Sequence, residues 1–150
     1  MNRLAIQALP KFTSSHIVYL DPKSQLIDQV NISTGDFKNI SLRDGTIKCT
    51  DWSTICCFTL KGQKIWDFKD QSVLRKAKGI ALDKISNVYV AGMETNNVVI
   101  LSPDGKSCRQ ILTKSDGLNE PYSLRINIDR SELLVCNTNG QAFLFSLQYM

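Results

Sequence analysis

The chain is short of the residues on which metal and acid–base sites are usually built. It holds one histidine, His16, with neither a carboxylate nor a cysteine at ligand spacing. His16 therefore reads as an ordinary strand or surface residue. No two of the five cysteines (Cys49, Cys56, Cys57, Cys108 and Cys136) form a C-x-x-C half-site, which excludes the usual zinc spacings. An odd number of thiols also argues against a disulfide framework, and they read as reduced core or edge residues in a cytoplasmic protein. The acidic residues are scattered, and no pair recurs at a fixed offset as a general acid and base would. There is no glycine-rich phosphate loop, nucleophile elbow or histidine pair. No apolar run approaches the roughly 20 residues of a membrane helix, and residues 1–10 lack the apolar core of a signal peptide. Without such a signal, the glycosylation triplet Asn31-Ile32-Ser33 carries no weight.

What is present is a repeat. In the stretch from Gly79 to Leu112, four short apolar runs (Ile80 to Leu82, Val88 to Val90, Val98 to Leu101 and Cys108 to Leu112) alternate with turn residues: Ser86-Asn87, Gly92 to Asn97, and Pro103-Asp104-Gly105. Proline presets a turn φ and glycine accepts the positive φ after it, so these runs predict a four-stranded antiparallel meander. Runs apolar on both faces suit a small sheet stacked between two others. Ile40 opens a similar unit 40 residues earlier and Leu124 another 44 residues later. The later copy stops after its third strand. Before Ile40, HIVYLDPKSQLIDQV fits the last two strands of a still earlier copy. Four strands per period of about 40 residues predicts an all-β chain built as a β-propeller.

The pieces GIALDKISNVYVA, VVILSPDGKSCRQIL, CTDWS and LLVCNTNGQAFLF resemble NHL repeats, and more narrowly the C-terminal propeller of tripartite-motif (TRIM-NHL) proteins. The resemblance covers roughly Ile17 to Leu147. The NHL pattern often ends its second strand on an aspartate; Asp51 fits, whereas Gly92 and Asn137 stand in its place in the later units. The resemblance implies a partial propeller of about three four-stranded antiparallel blades, of the six-bladed NHL or TolB-like type with the ring incomplete. Residues 1–15 are expected to be a linker or edge segment. The propeller then occupies 16–150, in blade parts 16–39, 40–78, 79–122 and 123–150.

By the same resemblance the chain is expected to be a non-catalytic interaction module for protein or RNA. In full-length relatives such a module is linked to E3 ubiquitin ligase activity and post-transcriptional regulation. The zinc-binding RING and B-box modules of those relatives have no counterpart here, and no metal or cofactor is expected. The alternative is a fragment of a propeller enzyme, of the calcium-dependent lactonase or lyase type, which needs carboxylates, asparagines or histidines converging on the central channel. A partial ring is also expected to self-associate, or to be completed by upstream blades, because each blade buries its faces against neighbours. No membrane partner is expected.

The candidate binding face is read from the repeat. Lys38, Lys78 and Tyr122 hold one position, two residues before a first strand, and Arg75 and Lys76 precede Lys78. In a propeller this connection emerges beside the loops between second and third strands, which carry Trp52, Met93 and Asn139. Cations interleaved with aromatic and amide groups suit an acidic peptide or a nucleic-acid strand. The net charge of +4 permits such a partner without requiring one. Asp51 reads as a turn residue bonding nearby amides, and Trp66 as a packing residue of an outer strand.

Overall fold

The computed structural model describes residues 39–149 in full and, ahead of them, the backbone of three strands. These are β1 (Arg3–Ala8), β2 (Ser15–Leu20) and β3 (Leu26–Ile32), an antiparallel sheet in which Ile17 faces Val30. The second sheet runs β4 (Asn39–Arg43), β5 (Thr46–Thr50), β6 (Ile55–Thr59) and β7 (Lys64–Phe68). The third runs β8 (Ala77–Leu82), β9 (Val88–Gly92), β10 (Asn97–Leu101) and β11 (Cys108–Leu112). The fourth has three strands, β12 (Pro121–Asn127), β13 (Glu132–Asn137) and β14 (Ala142–Ser146). Among the described residues every pairing is antiparallel between chain neighbours, and a single 3-10 turn, Lys114–Asp116, interrupts the strands. Two sheets thus have four strands and two have three, the last as its truncated repeat requires.

Local chemistry makes the turns. Arg43 pairs with Thr46 across a two-residue loop in which Asp44 and Gly45 have φ of 52° and 68°. Positive φ at both central residues gives the twist that matches paired strands, and Asp-Gly is one of the pairs that adopt it readily. At the same end of the next sheet, Asp83 is fully buried and accepts from the amides of Ile85 and Asn87, from Asn87 Nδ2 and from the Tyr89 hydroxyl. A buried carboxylate is tolerable because its lone pairs are filled in this way.

The sheets stack through their inner strands: β8 lies against β4 on one side and β12 on the other. One core, between the second and third sheets, gathers Ile55, Leu74, Ile80, Val88, Val90 and Val99, with Trp66 and Phe68 packed against it. Another, between the third and fourth, gathers Tyr89, Ala91, Val98, Leu124, Leu133 and Val135. The third sheet is covered on both faces, and β9 is buried throughout. In the fourth sheet burial alternates along β13 and β14, because only one face has a neighbour. Its other face leaves Leu134 and Leu144 exposed, the latter at 63%. The arc of sheets is open there.

At Gly79 on β8 the third and fourth sheets meet backbone to backbone. A Cβ there would lie 2.7 Å from the Leu124 nitrogen and 2.8 Å from the Ser123 Cα, both backbone atoms of β12. Only glycine admits that contact. The cleft along the inner strands, about 430 Å³, is lined by Ser41, Ser123, Arg125 and aliphatic side chains.

Candidate functional site

The face that carries the expected binding residues is built on two inner-strand bulges. Between Ala77 and Ile80, β8 has one residue more than β9 opposite it, and between Pro121 and Ser123, β12 has one more than β13. The bulged segments contain Lys78 and Tyr122, so the repeat position singled out in the sequence is also a structural one. A bulge re-aims a side chain away from the regular alternation. Lys78 is half-buried and Tyr122 46% exposed.

The β5–β6 loop comes from the preceding sheet to meet this position. Asp51 Oδ1 accepts from the amides of Ser53 at 2.8 Å and Thr54 at 2.7 Å, the turn role expected of it. This turn presents Trp52, 51% exposed. The Trp52 carbonyl accepts from Ala77 N at 3.1 Å, which stitches the loop to the start of β8. Two ammonium groups then sit by the indole: Lys76 Nζ is 5.0 Å and Lys78 Nζ 4.9 Å from the ring centroid. Each contact is worth about 0.5–1 kcal/mol at an exposed site. Lys76 reaches the ring from a left-handed backbone, φ 52°, and its Nζ is also 4.0 Å from Glu94 Oε1. A cavity of about 250 Å³ opens here between Trp52, Arg75, Lys76 and Glu94.

Hydrogen bonds carry the same face on to the fourth sheet. Met93 N donates to the Lys76 carbonyl and Glu94 N to that of Arg75. Asn96 Oδ1 accepts from Glu120 N at 2.8 Å, and Thr138 N donates to the Glu120 carbonyl. Glu120, φ 49°, thus repeats the backbone role of Lys76 with the opposite charge. Beneath the loops Asn97, 1% exposed, donates through Nδ2 to the Val73 carbonyl and to Gln110 Oε1.

Trp52, Lys76 and Lys78 are therefore brought into contact, with Arg75 and Met93 joined to them through the backbone. Tyr122 and Asn139 lie farther along, on the fourth sheet. Asn139 spends its side chain on Gln141 within its own turn. Lys38 lies outside the described residues, as does the side chain of His16. Glu94 and Glu120 were not anticipated. They make the face one of mixed charge, and the signal for them was their place beside Met93 and Tyr122 in the repeat.

Away from this face, Trp66 packs as expected and donates through Nε1 to the Pro103 carbonyl at 3.0 Å. All five cysteines are free thiols. Burial pushes Cys56 up to about 11 and raises Cys49 and Cys57 as well. Among the described residues, no group of three or more histidines, cysteines and carboxylates could hold a metal, and no helix is long and apolar enough to cross a membrane.

No family profile matches the chain. It is 30% identical over 109 residues, 70% of its length, to the mouse E3 ubiquitin-protein ligase TRIM56, of which it spans 15%. Among solved structures it is similar to the β-propeller domain of Cps50 (Swd1) from Myceliophteria thermophila, with a TM-score of 0.68 and 12% identity, covering 98% of this chain and 52% of that one. A streptogramin B lyase is similar with a TM-score of 0.59 and 12% identity, covering 96% of this chain and 54% of the lyase. At these identities the likeness is one of fold. The chain is therefore a β-propeller related in sequence to part of TRIM56, and its ring is open among the described residues.

Proposed function

We propose that the chain is a non-catalytic interaction module, an NHL-type propeller segment that binds an acidic protein segment on the face around Trp52. The observation that carries this reading is the half-exposed indole with two ammonium groups about 5 Å from its ring. Lysines held over an aromatic ring lose part of their side-chain freedom before a ligand arrives, which lowers the ordering cost of binding. Carboxylates of an extended acidic segment could then replace Glu94 as the partner of Lys76. Glu94 and Glu120 favour protein over RNA, because a peptide can space its carboxylates to reach the lysines and miss the glutamates, whereas a phosphate backbone carries a charge at every step.

By the likeness to a ubiquitin ligase, the bound protein would be brought to a ubiquitin-transfer machinery. The five free thiols support a cytoplasmic setting.

The test is fluorescence anisotropy with a labelled peptide of glutamates spaced by glycine and serine and a labelled single-stranded poly-uridine of equal charge. The peptide should bind more tightly, and Lys76→Glu/Lys78→Glu should weaken it by at least tenfold with a shallower salt dependence. Equal affinity of the double variant would overturn the site. Tighter binding of the RNA, lost in the same variant, would keep the site and replace the partner.

A further inference from the structure

A second pocket lies between the second and third sheets at the opposite end of the strands. It is a cavity of about 410 Å³, lined by Lys48, Thr46, Trp66, Pro103, Asp104 and Lys106 among others. Lys48 is the unusual member. It sits on β5, a central strand, is 3% exposed, and its one hydrogen-bond partner among the described residues is the Thr46 hydroxyl. An ammonium has three donors, and a charged group taken out of water is stable only when paired and hydrogen-bonded. The carboxylate lining the same cavity makes no ion pair with Lys48 among the described residues; Asp104 Oδ1 is held in its own turn by Ser102 Oγ at 2.6 Å and Lys106 N at 3.1 Å. Asp104 and the exposed Lys106 offset each other in charge, which leaves one positive charge, that of Lys48, without a counter-charge. Much of the remaining wall is apolar. The Trp66 ring is fixed by its bond to the Pro103 carbonyl, and Ile65, 50% exposed, stands beside it.

From this we propose that the pocket binds a small monoanionic carboxylate carried on an aromatic body. The carboxylate takes the two free donors of Lys48, and the ring packs against Trp66, Ile65 and Pro103. The volume lies within the range of small-molecule sites, which pair apolar walls with a few placed polar groups. The site is independent of the Trp52 face, since it uses the other end of the strands and none of the same side chains.

The experiment is a titration of the full chain with benzoate, benzamide and acetate, followed by NMR at the Trp66 indole N–H. Trp52→Phe identifies that resonance, because the chain has two tryptophans. Benzoate should shift the resonance saturably. Benzamide, without the charge, and acetate, without the ring, should each bind about ten- to hundredfold more weakly, the effect of losing a charged hydrogen bond or an aromatic contact. Lys48→Met, which keeps the length and removes the charge, should lose the preference for benzoate over benzamide. Equal binding of benzoate and benzamide by the wild-type chain would overturn the proposal, and that comparison needs no variant to fold. So would an unshifted Trp66 resonance, or undiminished benzoate affinity in Lys48→Met.

Discussion

Gly79→Ala is the most informative single change for the stacking of the sheets. The added methyl would be placed 2.7 Å from Leu124 N, 2.8 Å from Ser123 Cα and 2.9 Å from Ser123 C. All three are backbone atoms of β12, so no side chain can rotate away, and relief requires β8 and β12 to separate. Overpacking of a core costs about 1–3 kcal/mol, and a backbone clash belongs at the upper end. For a chain of this size, about 3 kcal/mol lowers Tm by about 6–12 °C. Gly45→Ala is the control. Gly45 has φ +68° but nothing within 4 Å of a Cβ, so it carries only the left-handed backbone cost of about 1 kcal/mol, or about 2–4 °C. Thermal unfolding followed by circular dichroism, with urea titration to show that the m-value is unchanged, gives both numbers. A Gly79→Ala chain no less stable than Gly45→Ala would refute the claim that the third and fourth sheets meet backbone to backbone at this residue.

Two further outcomes follow from buried polar groups. Asn97→Ala should cost about 1–3 kcal/mol by leaving the Val73 carbonyl unsatisfied, and Asn97→Asp should cost more, because it sets a carboxylate against two acceptors; a milder effect of Asp than of Ala in urea titrations would contradict the donor role assigned to Nδ2. Because Cys56 is pushed from 9.0 up to about 11 by burial, the unfolded chain releases this proton at lower pH than the folded one, so stability should be flat below about pH 9 and decline from there towards about pH 11, with Cys49 and Cys57 adding in the same direction; a Cys56→Ala chain with the same alkaline slope as wild type would show that another group sets it.

Much of the fold is decided by local chemistry. Alternating turn residues and β-branched runs specify strands whatever their neighbours are. Asp44-Gly45 specifies its hairpin because both residues accept positive φ, and Asp51 specifies its turn by bonding the next amides. The repeat of about 40 residues then specifies antiparallel units that must stack, since runs such as VYVAG on β9 are apolar on both faces. The truncated third copy likewise announces a three-stranded last sheet.

Contacts between units could not be read in the same way, because they join residues distant in the chain and obey no period. Nothing in the sequence says that Lys76 and Lys78 would both lie over Trp52, from the preceding sheet, or that Glu94 would share Lys76. The two bulges that set Lys78 and Tyr122 apart arise from a one-residue mismatch between partner strands, which only register reveals. Lys48 shows the limit most clearly. In the sequence it is one lysine among many in a chain of 18 basic residues. Its burial against Thr46, in a cavity closed by Trp66 and the Pro103 turn of the next sheet, exists only once two blades are stacked. Strand identity is a local free-energy minimum, whereas the environment of a charge is set by whatever packs over it.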